Sequence, residues 1–162
     1  TYDIHGTWDS TVRAIGSYIY AHTNLTEIHQ GLELLWRNNV NPEGLTLGLA
    51  SMGEELDPLQ TCNLVHKLIQ VIGFTLADPN CRDPGCPFIP STGGDAGRCT
   101  GTPGVLSARE INEIIRNGGQ QRLHEADAVQ IVTWNQNQWV SWDDATTLKM
   151  KQEFANRRCL GG

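Results

Sequence analysis

The feature that most constrains this chain is a capped amphipathic helix set between an aromatic, polar stretch and a short, nearly uncharged one. Asn24 with Glu27 three residues on makes an N-terminal capping pair, and Leu25, Ile28, Leu32, Leu35 and Trp36 then recur at spacings of three and four. Asn38, Asn39 and Pro42 end the pattern. Before it, Tyr2-Asp3-Ile4-His5-Gly6-Thr7-Trp8-Asp9 reads as the end of a buried strand running into a loop. After it, Leu45-Thr46-Leu47-Gly48-Leu49-Ala50 suits a strand buried on both faces. Strand, helix, strand in that order is the parallel crossover unit of an α/β fold.

The remainder reads differently. In Ser51 to Ile72 the residues Val65, Leu68, Ile69 and Ile72 fall on one helical face, which taken alone predicts an amphipathic helix. Phe74 to Gly104 holds most of the Pro, Gly and Cys and reads as a long loop region. Ser107 and Glu110 form a second capping box ahead of Ile111, Ile114 and Ile115, and Asn117-Gly118-Gly119 stops that helix. Ala128 to Trp134 and Gln138 to Trp142 alternate around Asn135-Gln136-Asn137 as an antiparallel hairpin, with all of Trp36, Trp134, Trp139 and Trp142 read as packing residues. Asp143-Asp144 puts negative charge at the start of a last helix that ends on Arg157 and Arg158. The plan is a crossover α/β piece, an inserted antiparallel α+β piece and a returning helix. Such an insertion can wall one side of a barrel's active-site rim.

With 162 residues the chain is the size of one ordinary domain. Its 12 basic and 18 acidic side chains give a formal charge of -6, which repels phosphate backbones and anionic lipid, so neither nucleic acid nor a membrane surface is an expected partner. No run reaches the roughly 18 apolar residues of a membrane span, and the start lacks a signal-peptide pattern, so the chain is either cytosolic or without its beginning. Cys81, Cys86 and Cys99 lie in the loop-rich stretch and read as disulfide staples. With Cys159 they are the candidate disulfide residues, and four cysteines leave three connectivities open. Asn24-Leu25-Thr26 is a glycosylation sequon, and with the cysteines it points to a secreted, extracellular protein. The cysteines and the five scattered histidines lack the spacing of a zinc site, and neither metal nor cofactor is expected.

Many short blocks, in order, resemble the fungal branch of glycoside hydrolase family 18, the chitinases. Thr1-Tyr2-Asp3 looks like the end of that family's Met-x-Tyr-Asp motif on barrel strand six. His5-Gly6-Thr7-Trp8-Asp9, Ala21-His22-Thr23-Asn24-Leu25-Thr26-Glu27 and Leu34-Leu35-Trp36-Arg37 continue the likeness. Gly73 to Asn80, Cys99-Thr100-Gly101-Thr102, Gln138-Trp139-Val140-Ser141-Trp142-Asp143-Asp144 and Leu160-Gly161-Gly162 carry it to the end. The resemblance implies an α/β fold, a partial TIM barrel carrying an α+β insertion domain. Residues 1–50 would supply strand six, a helix and strand seven; 73–142 the insertion domain; and 143–162 the helix leading to a strand eight that is absent. Ser51 to Ile72 interrupts the likeness in place of a Phe-Tyr-Gly-Arg block, as an unspliced intron or a variant loop would.

Family 18 enzymes use the substrate's own acetamide as nucleophile. The resemblance places their general acid in an Asp-x-x-Asp-x-Asp-x-Glu signature, which these residues do not contain. It implies four assisting groups here. Tyr2 would position the acetamide, Asp3 would contact the neighbouring sugar, and Trp8 would stack on a pyranose face. Glu110, with Arg109 where the family has an aromatic residue, would be an acidic sugar contact. The implied partner is chitin or a chitooligosaccharide, with oligomeric state open. The implied parent reaction is retaining hydrolysis of β-1,4-linked N-acetylglucosamine, and the alternative is a sugar-binding relative without activity. Loss of a general acid costs about a hundredfold to ten-thousandfold, so the chain by itself is expected to be inactive. Two barrel strands without neighbours are expected to be marginally stable and prone to aggregate, the insertion region being the part most able to fold alone.

Overall fold

The computed structural model describes residues 1–49, 71–90 and 93–161. Its centre is a five-stranded antiparallel sheet in the order β2-β1-β5-β4-β3. The strands are β1 (Val71–Thr75), β2 (Val105–Leu106), β3 (Gln120–His124), β4 (Val129–Trp134) and β5 (Gln138–Trp142). Among the described residues three α-helices accompany it: α1 (Leu25–Arg37), α2 (Ala108–Arg116) and α3 (Ala145–Arg157). The hairpin expected around Asn135-Gln136-Asn137 is β4 and β5, with Val132 opposite Val140 and Thr133 opposite Trp139. Asn135 and Gln136 both take positive φ, of 44° and 68°, as a tight hairpin turn requires.

Both faces of the sheet are covered, so β4 and β5 are buried almost throughout instead of alternating between core and water. On one face Phe74, Val129, Ile131 and Trp139 pack with Ile19, Ala21, Leu76 and Phe88 from the connecting segments. On the other, Val71, Val132, Val140 and Trp142 meet Leu106 and Ile111 of α2. Phe74 lies opposite Trp139 with ring centroids 5.8 Å apart, an aromatic cross-strand pair that contributes about 0.5–1.5 kcal/mol beyond its buried area. The Trp139 indole N–H also finds the Arg82 carbonyl at 3.0 Å.

A third core joins the helices. Ile28 and Leu32 of α1 pack on Phe154 of α3, with Ile4, Leu25, Trp36, Leu45, Leu47 and Leu160 around them. At the helix ends Arg158 lies over the rings of Trp36 and Phe154, 5.4 and 5.5 Å from their centroids. That is a cation–π clamp on the C-terminal turns of both helices.

Several expectations need correction. Ile72 is not on a helical face but in β1, paired with Val105; most of Ser51 to Ile72 lies outside the described residues. Phe74 and Thr75 are strand, not loop. Gln120–His124 is a strand that its polar composition concealed, because as an edge strand it is largely exposed. Thr1–Asp3 and Leu45–Leu49 form no regular element. The two segments do run beside one another: the Thr1 hydroxyl donates to the Gly48 carbonyl, and a Cβ at Gly48 would lie 3.6 Å from Tyr2 Cε1. A parallel strand needs ladder partners along its length, and no ladder pairing joins these two described segments. Leu47 and Leu49 line a cavity of about 600 Å³ against Leu148, Gln152 and Ala155 of α3.

Candidate functional site

Tyr2, Asp3 and Trp8 are exposed within one N-terminal segment held from beneath by a buried polar framework. Trp8 sits in a 3-10 turn, Thr7–Thr11, whose buried anchor is Asp9. The Asp9 carboxylate accepts the Gly6 N–H at 3.3 Å and lies 2.7 Å from His5 Nδ1. The other ring nitrogen of His5 lies 2.7 Å from Glu27 Oε2 in the first turn of α1. One imidazole thus ties the Trp8 turn to the helix. Glu27 therefore does only half of what the capping pattern suggested. Its N–H bonds Asn24 Oδ1 at 3.2 Å, while its carboxylate goes to His5.

Trp8 remains 45% exposed, with its six-membered ring laid over Gly6. A Cβ at Gly6 would come within 2.4 Å of ring carbons, so the indole needs a residue without a side chain there. Tyr2 is 54% exposed. Asp3 has φ of 58°, the left-handed region that Asp tolerates better than most residues. Its carboxylate stays largely in solvent while Oδ1 lies 3.7 Å from Nδ1 of His22.

Beneath Asp3 is a cluster that sequence reasoning missed as a unit. His22 is 3% exposed, and neither ring nitrogen has a hydrogen-bond partner. Burial lowers its pKa, outweighing the attraction of Asp143 and Asp3. Lys151 of α3 forms an ion pair with Asp143 and donates to Thr23 Oγ1 at 3.0 Å. Thr147 Oγ1 donates to the same Asp143 oxygen at 2.8 Å. Burial also lowers the pKa of Lys151, despite Asp143. A signal was available: residues 143, 147 and 151 are spaced by four, one stripe running from the residue before the α3 cap into the helix.

The other candidates lie elsewhere. Glu110 is 5% exposed and organises a loop. Its Oε1 accepts the N–H groups of Cys99 and Thr100 at 2.6 and 3.1 Å, and its Oε2 accepts the Ser107 N–H and hydroxyl, each at 2.8 Å. Burial alone would raise its pKa, but these donors hold it below the ordinary value. With both oxygens taken inside the protein, Glu110 faces backbone where a sugar contact was expected. Asn24 is likewise buried, as the cap of α1, and Thr26 Oγ1 donates to the Ala126 carbonyl at 2.9 Å. A glycan on Asn24 would have to pull that cap apart. Cys81 and Cys86 are joined, Cys99 is also in a disulfide, and Cys159 is free and exposed, contrary to its expected pairing.

A phenol, a carboxylate and an indole face exposed along one short segment can donate, accept and stack. Among the described residues no helix is long and apolar enough to cross a membrane.

The model described as "Glycosyl hydrolases family 18" matches residues 1–162, and the chain belongs to that family. A secreted chitinase of Penicillium expansum is 25% identical over 155 residues, covering 88% of this chain and 9% of the relative. A class V chitinase of Medicago truncatula is 24% identical over 161 residues, covering 99% of this chain and 35% of the relative. Among solved structures, the family 18 chitinase of Cycas revoluta in complex with (GlcNAc)3 superposes with a TM-score of 0.65 at 20% identity, covering 99% of this chain and 38% of that one. The chain thus spans well under half the length of these relatives.

Proposed function

We infer that this polypeptide supplies one wall of a chitin-processing site, with Tyr2, Asp3 and Trp8 as its sugar contacts. In the parent reaction, retaining hydrolysis of β-1,4-linked N-acetylglucosamine, the substrate's acetamide is the nucleophile. The Tyr2 hydroxyl would hold the acetamide carbonyl in line, Asp3 would accept from the adjacent sugar, and Trp8 would carry a pyranose on its open indole face. Residues 1–50 then read as part of a barrel, 73–142 as its insertion domain and 143–162 as a returning helix. The observation that carries this reading is the pairing of a family match over residues 1–162 with exposure of those three side chains on a buried polar support. A relative named as secreted and a disulfide between Cys81 and Cys86 support an extracellular setting.

The sequence holds no Asp-x-x-Asp-x-Asp-x-Glu signature, which favours binding without hydrolysis for these residues by themselves. Calorimetric titration of the chain with tetra-N-acetylchitotetraose should give binding, with no release of shorter sugars by chromatography. Trp8→Ala and Asp3→Ala should each weaken it by about tenfold, or about 1.4 kcal/mol. Equal affinity in all three proteins would dismiss the assigned contacts, and turnover by the chain alone would dismiss the binding-only role.

A further inference from the structure

The buried histidine under Asp3 has no role in the sugar contacts just described, yet it is placed to control one of them. His22 reaches Asp3 in two ways. Its backbone carbonyl accepts the Ile4 N–H at 3.1 Å, which fixes the peptide immediately after Asp3. Its Nδ1 stands 3.7 Å from Asp3 Oδ1, within ion-pair range but too far for a hydrogen bond. Both ring nitrogens lack partners although the residue is 3% exposed, and Asp143 Oδ2 in the same cluster lacks one too. Unpartnered buried polar atoms are costly, so this arrangement gains when a proton and a shorter contact satisfy them.

We propose that His22 is a proton-linked positioning residue for Asp3: when a sugar covers Asp3, His22 takes up a proton and locks the carboxylate in its sugar-accepting orientation. This deepens the reading of Tyr2, Asp3 and Trp8 as a chitooligosaccharide site and rests on it. The physical reason is an asymmetry between the two partners. His22 is already desolvated, so a ligand adds little to the cost of charging it. The Asp3 side chain is 59% exposed, so a sugar laid over it excludes water and strengthens its attraction for the imidazolium. Three charged groups act on the ring: Asp3 from the N-terminal segment, Asp143 from the link before α3, and Lys151 from α3. Asp143 and Lys151 are paired with each other, which leaves Asp3 as the partner a ligand can change. In the free protein burial keeps the ring's pKa low, so the empty site holds His22 neutral at neutral pH. Binding then draws a proton from solvent, and affinity rises as pH falls.

The test is a pH titration of the labelled chain between about pH 8 and about pH 5, the range of an ordinary to a depressed histidine. The His22 Cε1–H resonance is followed by NMR with and without tetra-N-acetylchitotetraose, and is assigned by its loss in His22→Gln. The sugar should move the His22 midpoint upward, and sugar affinity should rise with acid by up to about tenfold for each unit of that movement. Asp3→Asn should lower the midpoint in the free protein, and His22→Gln should flatten the affinity profile. If His22→Gln does not fold, the wild-type and Asp3→Asn titrations decide. Sugar binding with an unmoved His22 midpoint, or an equally steep profile in His22→Gln, overturns the proposal and leaves the sugar site standing. Absence of binding at every pH removes both.

Discussion

Lys151 and Asp143 form an ion pair in which each side chain keeps only 1% exposure, and the ammonium also donates to Thr23 128 residues away in sequence. The pair fixes α3 against the segment that carries His22. Desolvating both ions offsets most of their attraction, so the pair specifies an arrangement more than it adds stability.

Removing one partner should therefore be worse than removing both. Lys151→Met is expected to destabilise the chain by about 3–5 kcal/mol, because Asp143 is left charged and buried. Adding Asp143→Leu should recover much of the loss. Urea denaturation of the two variants checks this, and a double variant no better than the single would show that the pair itself stabilises.

Glu110 should matter to stability and not to sugar. Glu110→Gln leaves at least one of its four donors poorly matched and is expected to cost about 1–3 kcal/mol at neutral pH with chitooligosaccharide affinity unchanged. Because its folded pKa lies below the ordinary 4.5, its contribution is complete above that pH and is lost as pH falls through the folded value. His22, lowered from 6.5, works in the same direction from higher pH: the unfolded chain takes a proton that the fold resists. Asp127, raised from 3.8 by burial, opposes them, since acid relieves its buried charge. Urea midpoints across pH should fall toward acid in the parent and less steeply in Glu110→Gln.

Asn24 should behave as a cap and not as a glycan acceptor. Asn24→Ala should cost about 1 kcal/mol, while Asn24→Asp, which keeps an acceptor for the Glu27 N–H, should be nearly neutral. Intact-mass measurement of protein made through a secretory pathway should show Asn24 unmodified. A glycan there in folded protein would mean that α1 begins differently.

Gly6 should act on the site through Trp8. In Gly6→Ala the new methyl displaces the indole, which is the far end of a movable side chain, so thermal stability should change by less than about 1 kcal/mol. Sugar affinity should fall as far as in Trp8→Ala. Retained affinity would show that Trp8 does not need its place over Gly6.

What could be read along the chain is what neighbouring residues decide among themselves. The caps at Asn24 and Ser107, the acidic start of α3 at Asp143-Asp144, the spacing of Leu25, Ile28 and Leu32, and the turn at Asn135-Gln136-Asn137 each act over a few residues, and each stands where its pattern placed it. Tertiary structure decided the rest, because burial and long-range pairing leave no local mark. Polar Gln120–His124 is a strand only because β4 lies beside it. Asn24 satisfies a sequon and a cap equally well on paper, and packing against Asp127 and Ala126 chose the cap. Glu110 looked like one residue of a capping box until the Cys99 loop folded onto its carboxylate. His22, Asp143 and Lys151 meet because the chain returns through α3 to its own beginning, and only that closure removes the water that would have made them three ordinary surface side chains.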